Sequence, residues 1–392
     1  MGRHLTFVNL RRPVPPLYLL LIPTALCAAS ALPVAPLSPS APTIFAAVTT
    51  LLSFYNSSSG YFGDASVYWP FWHTGNSLET LALAYALTGD PRVPPVLANS
   101  FALVRSDYHT PYAGNDDIQW HAHAWLRSYE ATGNETYLRE AVAIYTFLLG
   151  PVWQGWNATC GGCNWAENAH YVNTITTSLF ASGTAALARA PTAAPVIANR
   201  TLPSWSSAAW SWGLLPGLRL PGGGPFLDGV DTHNCSLPVG AAWTYNSAAW
   251  LTAGTGLSNL TGDAAFSRAA AALLRGAAAF FGGPTQERAC GAGGWCSTPD
   301  GRMFKGVLAR HVAWALRDWG PTGAGAFAGA WARENAAALL ANGTLWGNQS
   351  LPLFGQLWQG PFRRDNTPWV AHSAGLDLLL AARAAEVWGG RV

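Results

Sequence analysis

One local pattern limits this chain more than any other: a small-residue, apolar helix that stops three times on the same three-residue signal. Gly75 to Asp90 ends Thr88-Gly89-Asp90, Asp117 to Asn134 ends Thr132-Gly133-Asn134, and Trp243 to Asp263 ends Thr261-Gly262-Asp263. Glycine just past a helix and a short polar residue after it are stop-and-restart signals. Second helical runs follow, such as Glu135 to Leu149 and Ala264 to Phe281. Thr88 and Thr132 lie 44 residues apart, the period of a helical hairpin. An open solenoid would keep a steady period and carry polar caps. A closed ring of helix pairs instead needs inner helices with little charge and a cleft built at their ends. The candidate inner helices here are nearly uncharged, and aromatic and polar motifs precede them. The pattern therefore predicts an all-α, single-domain toroid of about six hairpins. Pro191 to Pro225, rich in Pro, Gly, Ser and Trp, is expected to be a long crossing loop.

Composition narrows the partners. Only 11% of the 392 residues are charged and the net charge is +2, so no basic stripe suits nucleic acid and no acidic tail is present. Lys305 is the sole lysine among many arginines, and its compact ammonium fits places that a guanidinium does not. Twenty tryptophans exceed an ordinary share; they either fill the core or line a cleft, where sugar C–H faces stack on such rings. Arg3, Arg11 and Arg12 precede an apolar run from Leu17 to Leu26, with small residues at Ala28, Ala29, Ser30 and Ala31, the form of a secretory signal. That run is too short to span a bilayer, later stretches are interrupted, and the C-terminus lacks a lipid-anchor tail, so no stable membrane insertion is expected. Glycosylation sequons open at Asn56, Asn134, Asn157, Asn199, Asn234, Asn259, Asn342 and Asn348. Outside the signal the cysteines are Cys160, Cys163, Cys235, Cys290 and Cys296, an odd number. Cys290 with Cys296 closes a short Gly-rich loop, Cys160 with Cys235 is the expected second bridge, and Cys163 is left over. Cys160-x-x-Cys163 has no second ligand pair, and His121 and His123 fall on different helix faces, so no metal or other cofactor is expected.

Five polar-aromatic clusters each precede a helix. They are Tyr68 to Asn76, Gly114 to Trp120, Cys160 to Asn173, Trp243 to Asn246 and Phe304 to Arg310. In the second, Asp116 and Asp117 open a run from Ile118 to Tyr129, with Asn115 as the expected N-cap. Acids in a first helical turn can simply complement the helix dipole. Alternatively they form a carboxyl pair. Cleaving a glycosidic bond with retention needs two carboxyl groups about 5–5.5 Å apart, one attacking and one exchanging a proton. In that case the helix N-terminus is expected to keep Asp116 ionised, while its charge and apolar walls raise the pKa of Asp117. Trp72, Trp120, Trp165 and Trp243 are candidates for stacking on pyranose faces, and Asn76, Gln119, Tyr245 and Asn246 for bonding hydroxyls. Lys305 is either a pocket ligand or an ion-pair partner. For His73 and His121, packing or solvation is the plain alternative to catalysis.

Asp116-Asp117-x-Gln119-Trp120 with Tyr129-Glu130-Ala131-Thr132-Gly133, then Trp243-Thr244-Tyr245-Asn246 and Phe304-Lys305-Gly306, resemble in order and spacing the motifs of glycoside hydrolase family 76. That family comprises endo-α-1,6-mannanases and cell-wall relatives, and the resemblance covers about residues 60 to 385. It implies an (α/α)6 barrel, a retaining mechanism, Asp116 as nucleophile and Asp117 as acid/base. Two positions depart from the family's pattern: Gly161-Gly162-Cys163 stands where a triple glycine is usual, and Ser247 where Gln is common. Both touch substrate preference more than reaction class. The expected division is a signal over 1–30, a lead-in with a first helix over 31–55, and a catalytic domain over 56–392. The expected activity is hydrolysis of α-1,6-mannan by a secreted monomer whose partner is the polysaccharide. The alternatives are transfer to another sugar and glycan binding at a dead site. A terpenoid cyclase would want a third aspartate in the doublet motif, which Ile118-Gln119-Trp120 does not supply.

Overall fold

The three residues of the repeated stop each have a structural task. Thr88, Thr132 and Thr261 end their helices and donate their hydroxyls back to the carbonyls of Ala84, Ser128 and Leu257. Gly89, Gly133 and Gly262 then adopt left-handed backbone (φ 68°, 75° and 73°), which costs a residue without Cβ least. Asp90, Asn134 and Asp263 accept the N–H groups of Arg92, Thr136 and Ala265, opening the next segment. One signal therefore closes an inner helix and starts the return.

The computed structural model describes residues 39–390 except 64–69, 106–113, 151–152, 167–168, 191–195, 236–237 and 348–349. The expected signal segment, most of the lead-in, Tyr68, Trp69 and Asn348 lie outside the described residues. Twelve α-helices are found among those described: α1 (Ala41–Leu52), α2 (Phe71–Thr88), α3 (Val93–Val104), α4 (Asn115–Thr132), α5 (Glu135–Leu148), α6 (Thr174–Leu187), α7 (Leu202–Trp212), α8 (Tyr245–Thr261), α9 (Ala264–Phe281), α10 (Pro299–Trp319), α11 (Gly323–Asn342) and α12 (Pro368–Val387). The even-numbered helices form a closed ring, α2 on α4, α4 on α6, and so on through α10 on α12 and α12 back on α2. The odd-numbered helices pack outside them, α3 on α2, α5 on α4, α7 on α6, α9 on α8, and α11 and α1 on α12. This is an (α/α)6 barrel, and α1 belongs to its outer layer.

Burial separates the two layers. Every residue of α6 is buried, whereas α9 buries only Ala270, Leu273, Leu274, Ala277 and Phe281 along one stripe. Among the described residues α9 is by length and composition apolar enough to cross a membrane; it also carries Arg268 and Arg275 and lays its buried stripe against α8. Small residues let the inner helices approach closely. A Cβ on Gly306 would sit 2.4 Å from the Ala374 Cα, so α10 and α12 touch there nearly backbone to backbone.

Among the described residues there are seven short strands: β1 (Tyr171–Asn173), β2 (Val196–Ile197), β3 (Arg200–Thr201), β4 (Gly229–Asp231), β5 (Pro238–Val239), β6 (Thr344–Trp346) and β7 (Pro352–Phe354). They form antiparallel sheets in the orders β1-β4-β5, β2-β3 and β6-β7. The expected crossing loop from Pro191 to Pro225 is corrected here. It contains the β2–β3 hairpin and the outer helix α7, capped by Thr201, whose Trp205, Ala209 and Trp212 are buried. Burial of that face outweighs the loop-like composition.

Candidate active site

The barrel turns the N-terminal ends of five inner helices toward one cavity of ≈ 470 Å³. Trp72 comes from the start of α2, Asp116, Asp117 and Trp120 from α4, Asn173 from the cap of α6, Tyr245 from α8, and Asp300 and Phe304 from α10; Trp165, Tyr171 and Asp228 complete the lining. Helix N-termini carry partial positive charge, which partly offsets four carboxyl groups facing one space. Among the described residues none that lines the cavity is basic.

The cap of α4 is Gly114, one residue earlier than expected. The Asp117 carboxylate accepts the Gly114 N–H at 2.9 Å, and Asp116 Oδ1 accepts the Asp117 N–H at 3.1 Å. A side chain at Gly114 would not fit, since its Cβ would lie 2.5 Å from Asp116 Oδ1. Asn115 fastens this corner to the neighbouring loop. Its backbone N–H donates to the Trp165 carbonyl at 2.6 Å, its amide donates to the Asn164 carbonyl, and its Oδ1 accepts from Trp153. Those bonds bring Trp165, 47% exposed, to the cavity rim.

The N–H groups at the start of α4 do not alone set the charge of Asp116. Burial first, then the neighbouring Asp117 charge, raises Asp116 well above the ordinary carboxyl range, and its N–H bonds only partly oppose this. Burial also raises Asp117 to about 7, against the Gly114 N–H and with help from Asp300. Carboxyl groups this close titrate as a pair, so between its two steps the pair holds a single proton.

Sequence reasoning missed two carboxylates. Asp228 is brought in by long-range pairing: Asn173 lies opposite Gly229 across β1 and β4, and the Asp228 carbonyl accepts from Thr174 N and Asn173 Nδ2 at 2.7 and 3.0 Å. Its carboxylate accepts from Tyr171 Oη at 2.8 Å, Asn246 Nδ2 at 3.0 Å and Tyr245 Oη at 3.5 Å. Burial still leaves its pKa raised. Asp300 sits in the first turn of α10, 3.2 Å from both Trp72 Nε1 and His73 Nε2. The available signal was its spacing four residues before Phe304, which puts both on one helix face.

Of the expected sugar-binding residues, Trp120, Trp165 and Tyr245 line the cavity, as does Trp72. Trp243 stands edge-on behind Phe304, and Asn246 is spent on Asp228. Three others are not among the lining residues, and their polar atoms serve the barrel wall. Asn76 bonds Arg310 and the Trp72 carbonyl, within a buried group where Arg310 also meets Glu79 at 3.1 Å and Asp377 at 2.7 Å. Gln119 donates to the carbonyls of Asn115 and Thr176, tying α4 to α6. Lys305 donates to the Gln356 carbonyl, with its ammonium 4.6 Å over the Trp358 ring. His121 and His123 are packed against the carbonyls of Phe71 and Leu179, and burial lowers each to about 4. Both expected disulfides are present, Cys160–Cys235 and Cys290–Cys296, with Cys163 free and buried. The sequon residues Asn56, Asn134, Asn199, Asn234, Asn259 and Asn342 are exposed, whereas Asn157 is half-buried and bonded to Asn164, Thr159 and Cys160.

The sequence model of Glycosyl hydrolase family 76 matches residues 43–346. No curated protein matches the chain. Among solved structures, the chain is similar to the GH76A alpha-1,6-mannanase of Salegentibacter sp. HEL1_6, at 20% identity and TM-score 0.70 over 88% of this chain and 99% of that one. An inactive variant of that enzyme, with two consecutive aspartates replaced, is in complex with alpha-1,6-mannotetraose (20% identity, TM-score 0.69, 88% and 99% covered). Dfg5 from Chaetomium thermophilum, in complex with glucosamine, is similar at 23% identity and TM-score 0.70, with 88% of each chain covered.

Proposed function

The chain belongs to glycosyl hydrolase family 76 and is a glycosidase by family, and from that premise we propose that it cleaves α-1,6-mannosidic bonds within mannan, with retention at the anomeric carbon. The observation that carries this reading is the adjacent pair Asp116 and Asp117 facing one tryptophan-walled cavity. The alpha-1,6-mannotetraose complex of a similar fold lacking two consecutive aspartates supports the choice of substrate.

The roles follow the family resemblance. With one proton on the pair, Asp116 attacks the anomeric carbon while the bond to the departing oxygen breaks and Asp117 gives that oxygen its proton. Water then adds to the anomeric carbon of the mannosyl–Asp116 ester, loses its proton to Asp117, and Asp116 leaves as a carboxylate. Two inversions give net retention. Trp72, Trp120 and Trp165 offer faces to the sugars, and Asp228, held by Tyr171, Tyr245 and Asn246, presents a fixed acceptor to their hydroxyls. The enzyme acts as a secreted monomer without a cofactor. The two disulfides and the exposed sequons support export.

Transfer of the sugar to a glycan acceptor is a second reading. The four carboxyl groups among the described lining residues suit an acceptor bearing a protonated amine, and the similar Dfg5 structure holds glucosamine. Purified protein incubated with linear α-1,6-mannan and with α-1,6-glucan tests both readings. Short α-configured manno-oligosaccharides from mannan alone are expected. Products longer than the substrate would select transfer, and β-configured first products or equal attack on glucan would overturn the main reading.

A further inference from the structure

The sole lysine lies behind the cavity, not in it. Lys305 follows Phe304 on α10, is 2% exposed, and faces an environment that also encloses Glu287, 1% exposed. Burial pushes Lys305 down to about 7 and Glu287 up to about 7; Glu287 is drawn back toward its charged form by the Thr244 hydrogen bonds first and the Lys305 charge last, and Lys305 by the Glu287 charge. Such a pair is costly to bury, and removing one member leaves an uncompensated charge. Its contacts indicate what it holds. Glu287 accepts the Thr244 backbone N–H at 3.2 Å and also the Thr244 hydroxyl. Thr244 is the residue before α8, and the next two residues are Tyr245 and Asn246, which donate to Asp228. Tyr245 in turn stacks on Phe304, ring centroids 3.9 Å apart. On the other side, Lys305 donates to the Gln356 carbonyl, and the Gln356 side chain bonds both N and O of Cys296, closing the disulfide loop that begins just past Glu287.

We propose that Glu287 is a positioning residue that clamps the first turn of α8 and thereby aims Tyr245, Asn246 and the Asp228 carboxylate at the bound sugar, with Lys305 as its buried counter-charge. Neither side chain lines the cavity, so neither touches substrate. A cationic lysine suits this place because its ammonium can sit over the Trp358 ring and donate to one carbonyl, where a guanidinium would need more room and more acceptors. The catalytic side of the inference rests on the mannanase reading; the clamp itself does not.

The test is a double-variant cycle with Glu287→Gln, Lys305→Met and the pair together in the full chain. Amide hydrogen exchange of the peptide spanning Thr244 to Ser247 is read alongside kcat, KM and thermal midpoint. Each single variant is expected to speed exchange in that peptide at least tenfold, leave the first turn of α4 unchanged, and lower kcat/KM on α-1,6-manno-oligosaccharides at least tenfold. The double variant, with no unbalanced charge, is expected to return kcat/KM to within about threefold of wild type. Unchanged exchange at the start of α8 overturns the clamp whatever the substrate proves to be. Faster exchange with unchanged kcat/KM, or losses that merely multiply in the double variant, leaves only a stabilising role and overturns the proposal. Wild-type inertness toward mannan would instead count against the mannanase reading, with exchange still judging the clamp.

Discussion

Gly114→Ala isolates the geometry of the carboxyl pair from the stability of the barrel. Gly114 has φ −67° and ψ 158°, a conformation alanine adopts freely, so the backbone raises no objection. The objection is the Asp116 carboxylate, whose Oδ1 would lie 2.5 Å from the new Cβ, 0.9 Å inside the 3.4 Å at which ordinary contact begins. The carboxylate must move by most of that distance, or the corner held by Asn115 must open. Overpacking of this kind costs about 1–3 kcal/mol of stability, a shift of a few degrees in a chain this size. A displacement near 1 Å at a reacting group costs about 100-fold in rate, or about 2.7 kcal/mol of barrier. The variant should therefore stay folded and lose about 100-fold in kcat/KM on α-1,6-manno-oligosaccharides. Gly133→Ala is the matched control. It sits in left-handed backbone with nothing within 4 Å of the added methyl, so it should cost about 1 kcal/mol of stability and no activity. A Gly114→Ala enzyme within threefold of wild type, or a Gly133→Ala enzyme equally impaired, would refute the reasoning.

Four other outcomes are expected. The pair holds the one proton the mechanism needs only between its two steps, so activity should fall as pH rises past the upper one; Asp300→Asn, which removes a charge that helps hold the Asp117 proton, should move the rate profile to lower pH. By linkage the native state binds this proton more tightly than the unfolded chain, so Asp117 contributes stability that is lost as pH rises through about 7, and Asp117→Asn should melt higher than wild type at pH 8. Asp228→Asn places an amide opposite donors from Tyr171 and Asn246, and should raise KM at least tenfold with the thermal midpoint falling only modestly. The Cys160–Cys235 bridge spans 75 residues, so Cys160→Ser with Cys235→Ser should cost up to about 4.5 kcal/mol of chain-entropy stabilisation, read as a lowered denaturation midpoint.

What could be read from the chain was the chemistry that acts locally. Thr-Gly-Asp/Asn announces a helix end because its three residues satisfy their own neighbours; the closed ring was expected from nearly uncharged inner helices, which α6 and α8 are and α10, with Asp300, Arg302, Lys305, Arg310, Arg317 and Asp318, is not. The Asp116–Asp117 doublet was legible for the same reason, as adjacent residues at one helix start. Asp228 was not, because a two-strand pairing far along the chain delivers it. Asp300 looked like an ordinary first-turn acid. Gln119 precedes cavity-lining Trp120 and Lys305 follows cavity-lining Phe304, and a residue one place along a helix points about 100° away, here into the wall between helices; Asn76 lies a full turn along α2 from Trp72 and bonds its carbonyl. Helix α7 was hidden by composition, since Pro203 and its serines read as loop until Trp205 and Trp212 find a barrel to cover.

The central claim is the division of labour within the pair, and azide rescue tests it most directly. Asp117→Ala and Asp116→Ala enzymes are each given an activated aryl α-mannoside with sodium azide, and the configuration of the mannosyl azide is read by NMR. α-Mannosyl azide is expected from the Asp117 variant, formed through the intact ester to Asp116, and β-mannosyl azide from the Asp116 variant, where azide takes the place of the missing carboxylate. The opposite assignment of the two products, or no azide adduct from either variant, would contradict it.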